Sequence, residues 1–178
     1  MQYGENNNKS RVQHGKNNNN RAYNTDKPNN MSTYTQIIYQ IVFSTKYRAP
    51  TMIKEHRKEL FRCIWGILEN RNCHTYRING VEDHLHIATH LHPSVALADL
   101  VKDIKLGSTA LIKEQKIFPD FGGWQDGYGA FTYTIKEKDR LVKYIINQEE
   151  HHKKQTSREE LIDLLIEHGI QYDEKYLI

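Results

Sequence analysis

At 178 residues with 38% hydrophobic side chains, eleven tyrosines and two tryptophans, the chain has material for one domain and a substantial core. No apolar run approaches the ~20 residues of a membrane-spanning helix, and the start lacks the apolar segment of a signal peptide. Two cysteines, Cys63 and Cys73, make neither a disulfide framework nor a four-thiolate zinc site, so the expected setting is reducing and cytoplasmic. The net charge of +3 comes from residues 1–30, which hold five Lys/Arg against two Asp/Glu, whereas 31–178 are balanced. Bulk charge therefore does not mark a nucleic-acid binder.

Residues 1–30 contain ten asparagines and almost nothing aliphatic. Such a segment buries too little apolar area to offset the entropy of ordering it. It is expected to be a disordered leader to a domain over 31–178. From Tyr34 the pattern becomes regular. Ile37, Tyr39, Ile41 and Phe43 alternate with Gln36, Ile38, Gln40 and Val42, the period of a strand. Ile53, Leu60, Phe61, Ile64, Trp65, Ile67 and Leu68 then recur at three and four, which predicts an amphipathic helix over 53–70. Residues 73–79 read as a strand, Asn79-Gly80 as the start of a turn, and Val81 to His90 as the returning arm. Leu97 to Ile112 repeat with helical spacing, and Tyr128, Phe131 and Tyr133 suggest a fourth strand.

The order βαββαβ predicts an α+β, ferredoxin-like fold, with a four-stranded antiparallel sheet and two helices on one face. Thr134-x-x-Glu137 resembles a capping box opening a helix through Gln148, and Ser157-x-x-Glu160 a second one, with Gly169 as its stop. The first of these late helices is free to cross the sheet's other face.

Two local patterns suggest chemistry. In His84-Leu85-His86, strand geometry puts both imidazoles on one face and Leu85 on the other. Paired neutral imidazoles are half of a divalent metal site, although His-x-His also arises by chance in a chain with ten histidines. Tyr144 and Gln148 are i and i+4 on the late helix and share a face; spacing alone favours a core tyrosine packed with Leu141 and Ile145. The fold relates the two patterns. Leu85 must face the crossover helices, so His84 and His86 face the helix that carries Tyr144.

Val81-Glu82-Asp83-His84-Leu85-His86-Ile87 and Tyr144-Ile145-Ile146-Asn147-Gln148-Glu149-Glu150-His151-His152 resemble the two signature segments of the single-tyrosine HUH transposases of small bacterial insertion sequences. Phe43 to Arg48 and Trp124 to Phe131 are similar to that family as well, and the likeness extends over essentially all of 31–178. The resemblance implies a transposase that cuts and rejoins single-stranded DNA through a 5′-phosphotyrosine, recognises DNA hairpins at element ends and works as a homodimer. It implies Tyr144 as nucleophile and His84, His86 and Gln148 as ligands of Mg²⁺ or Mn²⁺. Imidazoles by themselves favour zinc or nickel, so the choice of ion rests on the resemblance.

Other positions have plainer readings beside the functional ones. His151 and His152 lie near the Tyr144 face and are candidates for the metal shell, but they fall in a charged run from Glu149 to Lys154, and a solvated helix end is the favoured expectation. Asp83 is placed to bond a ligand imidazole or simply to form the turn. Lys46, Arg48, Lys102 and Lys105 are candidates for DNA phosphates, on a surface that also carries Glu55, Asp99 and Asp103. Tyr47, Trp124 and Tyr128 suit base stacking or loop packing. Two rival functions remain at this level: a domesticated relative that processes repeated hairpins, and a non-catalytic ferredoxin-like nucleic-acid-binding module.

Overall fold

The computed structural model describes residues 33–177. The asparagine-rich leader lies outside them. Strands β1 (Ile38–Ser44), β2 (His74–Gly80), β3 (His84–His90) and β4 (Gly129–Tyr133) form one antiparallel sheet in the order β2-β3-β1-β4. Helices α1 (Arg57–Asn70) and α2 (Leu97–Gln115) are the crossovers. After β4 come α3 (Lys138–Ile146), the single turn α4 (Gln148–His151) and α5 (Ser157–Glu167). This is the expected ferredoxin-like α+β fold with three added helical segments. No helix among the described residues is long and apolar enough to cross a membrane.

Strand alternation divides the core in two. Ile41, Phe43, Leu85 and Ile87 point to one face, where Leu60, Ile64 and Leu68 of α1 meet Leu100, Ile104 and Ile112 of α2. Each such side chain withdrawn from water contributes roughly 1.5–3 kcal/mol. Ile38, Val42, Ala88, Phe131 and Tyr133 point the other way and are covered by Leu141 and Ile145 of α3 and Leu164 of α5. The second face is thus roofed, which leaves no bare sheet for a base-stacking module of the non-catalytic kind.

Three local expectations are corrected. Asn79-Gly80 does not turn: β2 continues through Gly80, the chain reverses over Val81-Glu82-Asp83, and the Val81 amide donates to the His84 carbonyl at 3.0 Å. Gly80 stays extended because it lies against Leu85 of β3, where a side chain has no room. The late helix is not continuous to Gln148. It ends at Ile146, and Asn147 joins it to α4. The last helix starts one residue earlier than expected: Thr156 caps it, with the Thr156 and Glu159 side chains bonding reciprocally, so Ser157 and Glu160 are not the box. The Thr134–Glu137 box is as expected, and Gly169 ends α5 in the left-handed conformation.

Candidate active site

His84 and His86 stand on β3 with their side chains on the face covered by α3 and α5, and both are buried. Their ring centroids are 5.0 Å apart. Tyr144, half-buried on α3, sets its ring edge-on to His86 at 5.8 Å. Asn79 fixes that helix. From β2, directly across from His86, its amide donates to the carbonyls of Ile145 at 2.9 Å and Ile146 at 3.1 Å, the two residues after the tyrosine. A residue read from sequence as a turn former instead ties the tyrosine helix to the histidine hairpin.

The centre of the cluster is a residue the sequence reading assigned to a helix cap. Glu160 of α5 is 2% exposed. Its Oε2 lies 3.1 Å from His84 Nε2, 3.2 Å from His86 Nε2 and 3.1 Å from His152 Nε2. Its Oε1 accepts the Tyr144 hydroxyl and, at 2.8 Å, the Gln148 amide nitrogen. The Gln148 oxygen faces the imidazoles, 3.0 Å from His152 Nε2 and 3.4 Å from His84 Nε2. All four residues expected from sequence, Tyr144, His84, His86 and Gln148, therefore converge within one chain. His152 joins them, contrary to its reading as part of a solvated run, because the bend after α4 turns it inward, where its Nδ1 also meets the Gln155 carbonyl at 2.9 Å.

Behind this cluster the imidazoles are held from their second nitrogens. Asp83 Oδ1 accepts from His84 Nδ1 at 2.7 Å, and its Oδ2 accepts the Ser157 hydroxyl at 2.6 Å, joining the hairpin to the start of α5. Gln40 on β1 bridges His86 Nδ1 at 2.9 Å and the Tyr133 hydroxyl at 2.7 Å. A half-turn of that amide would exchange its donor and acceptor ends, so Gln40 can serve either tautomer of His86. Arg57, buried at the start of α1, reaches the Met52 and Gly80 carbonyls, Glu82 in the hairpin turn and Glu149 on α4. One guanidinium thus locks the segments carrying His84 and Gln148 to each other.

Electrostatics follow from this packing. Burial works against the ionised Glu160 carboxyl, but the facing imidazoles of His86, His152 and His84 outweigh it and hold the group well below the usual carboxylate range. Burial pulls His84 down, yet the bonds to Asp83 and Glu160 dominate and raise it to about 9. His86, fully enclosed, is lowered by burial. Burial, then the charge and hydrogen bond of Glu160, push the Tyr144 phenol well above its ordinary value.

The donor set fits a divalent cation. Ligand atoms of His84, His152 and Glu160 lie within 4.8 Å of one another, with His86 Nε2 and the Gln148 oxygen directed into the same space. The cations proposed for DNA are distributed differently. Lys46 and Arg48 follow β1, with Lys46 over the Tyr47 ring. Tyr47 and Arg48 adopt left-handed backbone, and the half-buried Arg48, beside Asp83, keeps its Nε without a partner among the described residues. Lys102 and Lys105 lie on α2, across the sheet. The Lys105 ammonium donates to the Gln125 and Gly127 carbonyls, so it braces a loop. Trp124 packs edge-on against Phe43 and Phe121 and donates to Ser108 Oγ at 2.9 Å, which is a packing role; Tyr47 and Tyr128 are exposed.

A β-sheet pair of histidines, a tyrosine from the helix laid over them and a glutamine one turn on thus share one side of the sheet. The family described as Transposase IS200 like matches residues 33–148, and the chain belongs to that family. None of the curated proteins matches it. Among solved structures it is similar to one from Deinococcus radiodurans R1 assigned as a transposase, with 20% identity, a TM-score of 0.52 and coverage of 68% of this chain and 98% of that one. It is also similar to a REP-associated tyrosine transposase bound to a REP hairpin, with 14% identity, a TM-score of 0.53 and coverage of 71% and 74%. At these identities the two structures speak for the fold. His152 and Glu160 fall beyond the matched segment.

Proposed function

We propose that this transposase cuts and rejoins single-stranded DNA by transesterification at Tyr144, choosing its site by hairpins near the element ends. The observation that carries the reading is that one chain directs the Tyr144 hydroxyl and the Nε2 atoms of His84 and His86 onto the two oxygens of a single carboxylate. His84, His86 and Gln148 would hold Mg²⁺ or Mn²⁺, which when bound draws charge from the scissile phosphorus and steadies the departing 3′ oxygen.

The chain's own groups do the rest. Glu160 Oε1 fixes the direction of the Tyr144 O–H. The tyrosine oxygen attacks phosphorus and the bond to the 3′ oxygen breaks, giving a 5′-phosphotyrosine and a free 3′-OH. A second 3′-OH later attacks the phosphotyrosine, rejoins the strand and returns the phenol. Each step exchanges one phosphodiester for another, so no nucleotide triphosphate is needed, in keeping with the lack of a phosphate-cradling Gly-x-x-x-x-Gly-Lys-Ser/Thr loop in the sequence.

A groove of about 1070 Å³ leads to the nucleophile, with Lys143, Tyr144, Asn147, His151 and Lys154 among its lining residues, and it suits a single strand. Arg48, whose Nε has no partner among the described residues, suits a phosphate near the histidine hairpin. The reading includes a homodimer acting in the cytoplasm, each chain using its own tyrosine.

Incubation with a cleavable single strand carrying a hairpin, in Mn²⁺, is expected to give a covalent protein–DNA band on a denaturing gel. Tyr144→Phe should abolish it. A band of undiminished intensity from that variant would move the nucleophile elsewhere.

A further inference from the structure

Glu160 is out of place if its role is only structural. A buried carboxylate beside the tyrosine repels the phosphodiester that must approach it and opposes formation of a phenolate. It also lies on α5, past residue 148, where the family match ends. The arrangement makes sense if a bound cation shares the carboxylate. One oxygen, Oε2, is ringed by three imidazole nitrogens at 3.1, 3.2 and 3.1 Å, while the other, Oε1, is turned to Tyr144 and Gln148. Imidazoles alone favour zinc, whereas adding carboxylate and amide oxygens moves a site toward magnesium and manganese.

We propose that Glu160 of α5 is a direct ligand of the divalent ion in this chain, with His152 as a third imidazole beside it, the carboxylate supplying the anionic oxygen donor that a Mn²⁺-type ion needs and an imidazole set alone lacks. This rests on the reading of His84, His86 and Gln148 as the metal-holding residues. Glu160 Oε2 faces the ion and Oε1 keeps the nucleophile pointed at the same place. The C-terminal helix is therefore part of the active site, and the Thr156–Glu159 box and the Ser157–Asp83 bond set its position.

The test is metal binding by the full chain without DNA. Chelator-treated protein is titrated with Mn²⁺, followed by loss of the electron paramagnetic resonance signal of the free aqueous ion, then competed with Zn²⁺. Glu160→Gln is expected to weaken Mn²⁺ binding by at least about tenfold. It should weaken Zn²⁺ binding less, so that the ratio of Mn²⁺ to Zn²⁺ affinity falls; a merely structural role would leave that ratio alone. His152→Ala should weaken both ions. If Glu160→Gln keeps wild-type Mn²⁺ affinity while His86→Ala loses it, the inference is overturned and the metal reading stands. If wild type binds no Mn²⁺, or His86→Ala binds it unchanged, both fall. Thermal melts without metal check the fold. Should Glu160→Gln not melt cooperatively, Glu160→Asp replaces it: the shortened reach should still lower Mn²⁺ affinity, and an unchanged affinity overturns the inference.

Discussion

Adding one methyl group at Gly80 should damage fold and site together. A Cβ there would meet Leu85 Cα and Cβ at 2.8 Å and lie closer still to the His84 carbonyl oxygen. Carbon atoms rest about 3.5–4.0 Å apart, so β2 and β3 must separate by roughly 1 Å, and the obstruction includes backbone, which cannot rotate away. Overpacking of this kind costs about 1–3 kcal/mol. The upper end applies here, because separation also stretches the 3.0 Å bond from the Val81 amide to His84. For a domain of this size that is a fall of roughly 6–12 °C in melting temperature. The displaced residue is His84, and a 1 Å misplacement at a reacting centre costs on the order of a hundredfold in rate. Gly80→Ala should therefore melt earlier and, well below its melting temperature, form the DNA adduct far more slowly. Gly66→Ala on α1 is the control. Nothing lies within 4 Å of its Cβ, so about 0.5–1 kcal/mol of stabilisation is expected. A Gly80→Ala protein that matches wild type in both melting and adduct rate would refute the close-approach argument.

Arg57→Leu should cost about 2–4 kcal/mol in urea denaturation, since it strands the buried Met52 and Gly80 carbonyls while Glu82 and Glu149 can rehydrate. Arg57→Lys should recover little, because one ammonium does not reach four acceptors, and full recovery by lysine would contradict the clamp. A pH effect comes from the two capping boxes, where backbone bonds from Thr134 and Thr156 hold the Glu137 and Glu159 carboxyls below the usual range. A folded value below the unfolded one stabilises above the ordinary glutamate value of about 4.3, and that contribution is lost as pH falls through the depressed value. The drop in urea midpoint between about pH 5 and pH 3 should thus be smaller in Glu137→Gln/Glu159→Gln than in wild type, and equal drops would contradict it.

What the sequence revealed and what it hid have physical causes. Strand parity placed His84 and His86 opposite Leu85 and Ile87, because period two leaves no choice once one face is apolar. It also left the second face to the tyrosine helix, and α3 lies there. Glu160 was hidden by an ambiguity of one residue. Thr156-Ser157-Arg158-Glu159-Glu160 contains two overlapping capping boxes, and packing decides between them. Ser157, Glu160 and Leu164 share the buried stripe of α5, so Glu159 is left for the cap. A carboxylate on a helical apolar stripe was the available signal. His152 was in view from its place near the Tyr144 face, but its charged neighbours favoured solvent, and only the bend after α4 turns it inward. Asn79 and Arg57 act through contacts distant in sequence, with Ile145 and with Glu149, and no local pattern encodes those.

The most direct measurement is the identity of the residue that carries DNA. Adduct formed in Mn²⁺ on a hairpin-bearing strand would be trimmed with nuclease, digested with protease and sequenced by tandem mass spectrometry. The convergence of α3 on β3 predicts one modified peptide, with the nucleotide's 5′ phosphate on Tyr144. A nucleotide on any other side chain, or linked through its 3′ phosphate, would contradict it.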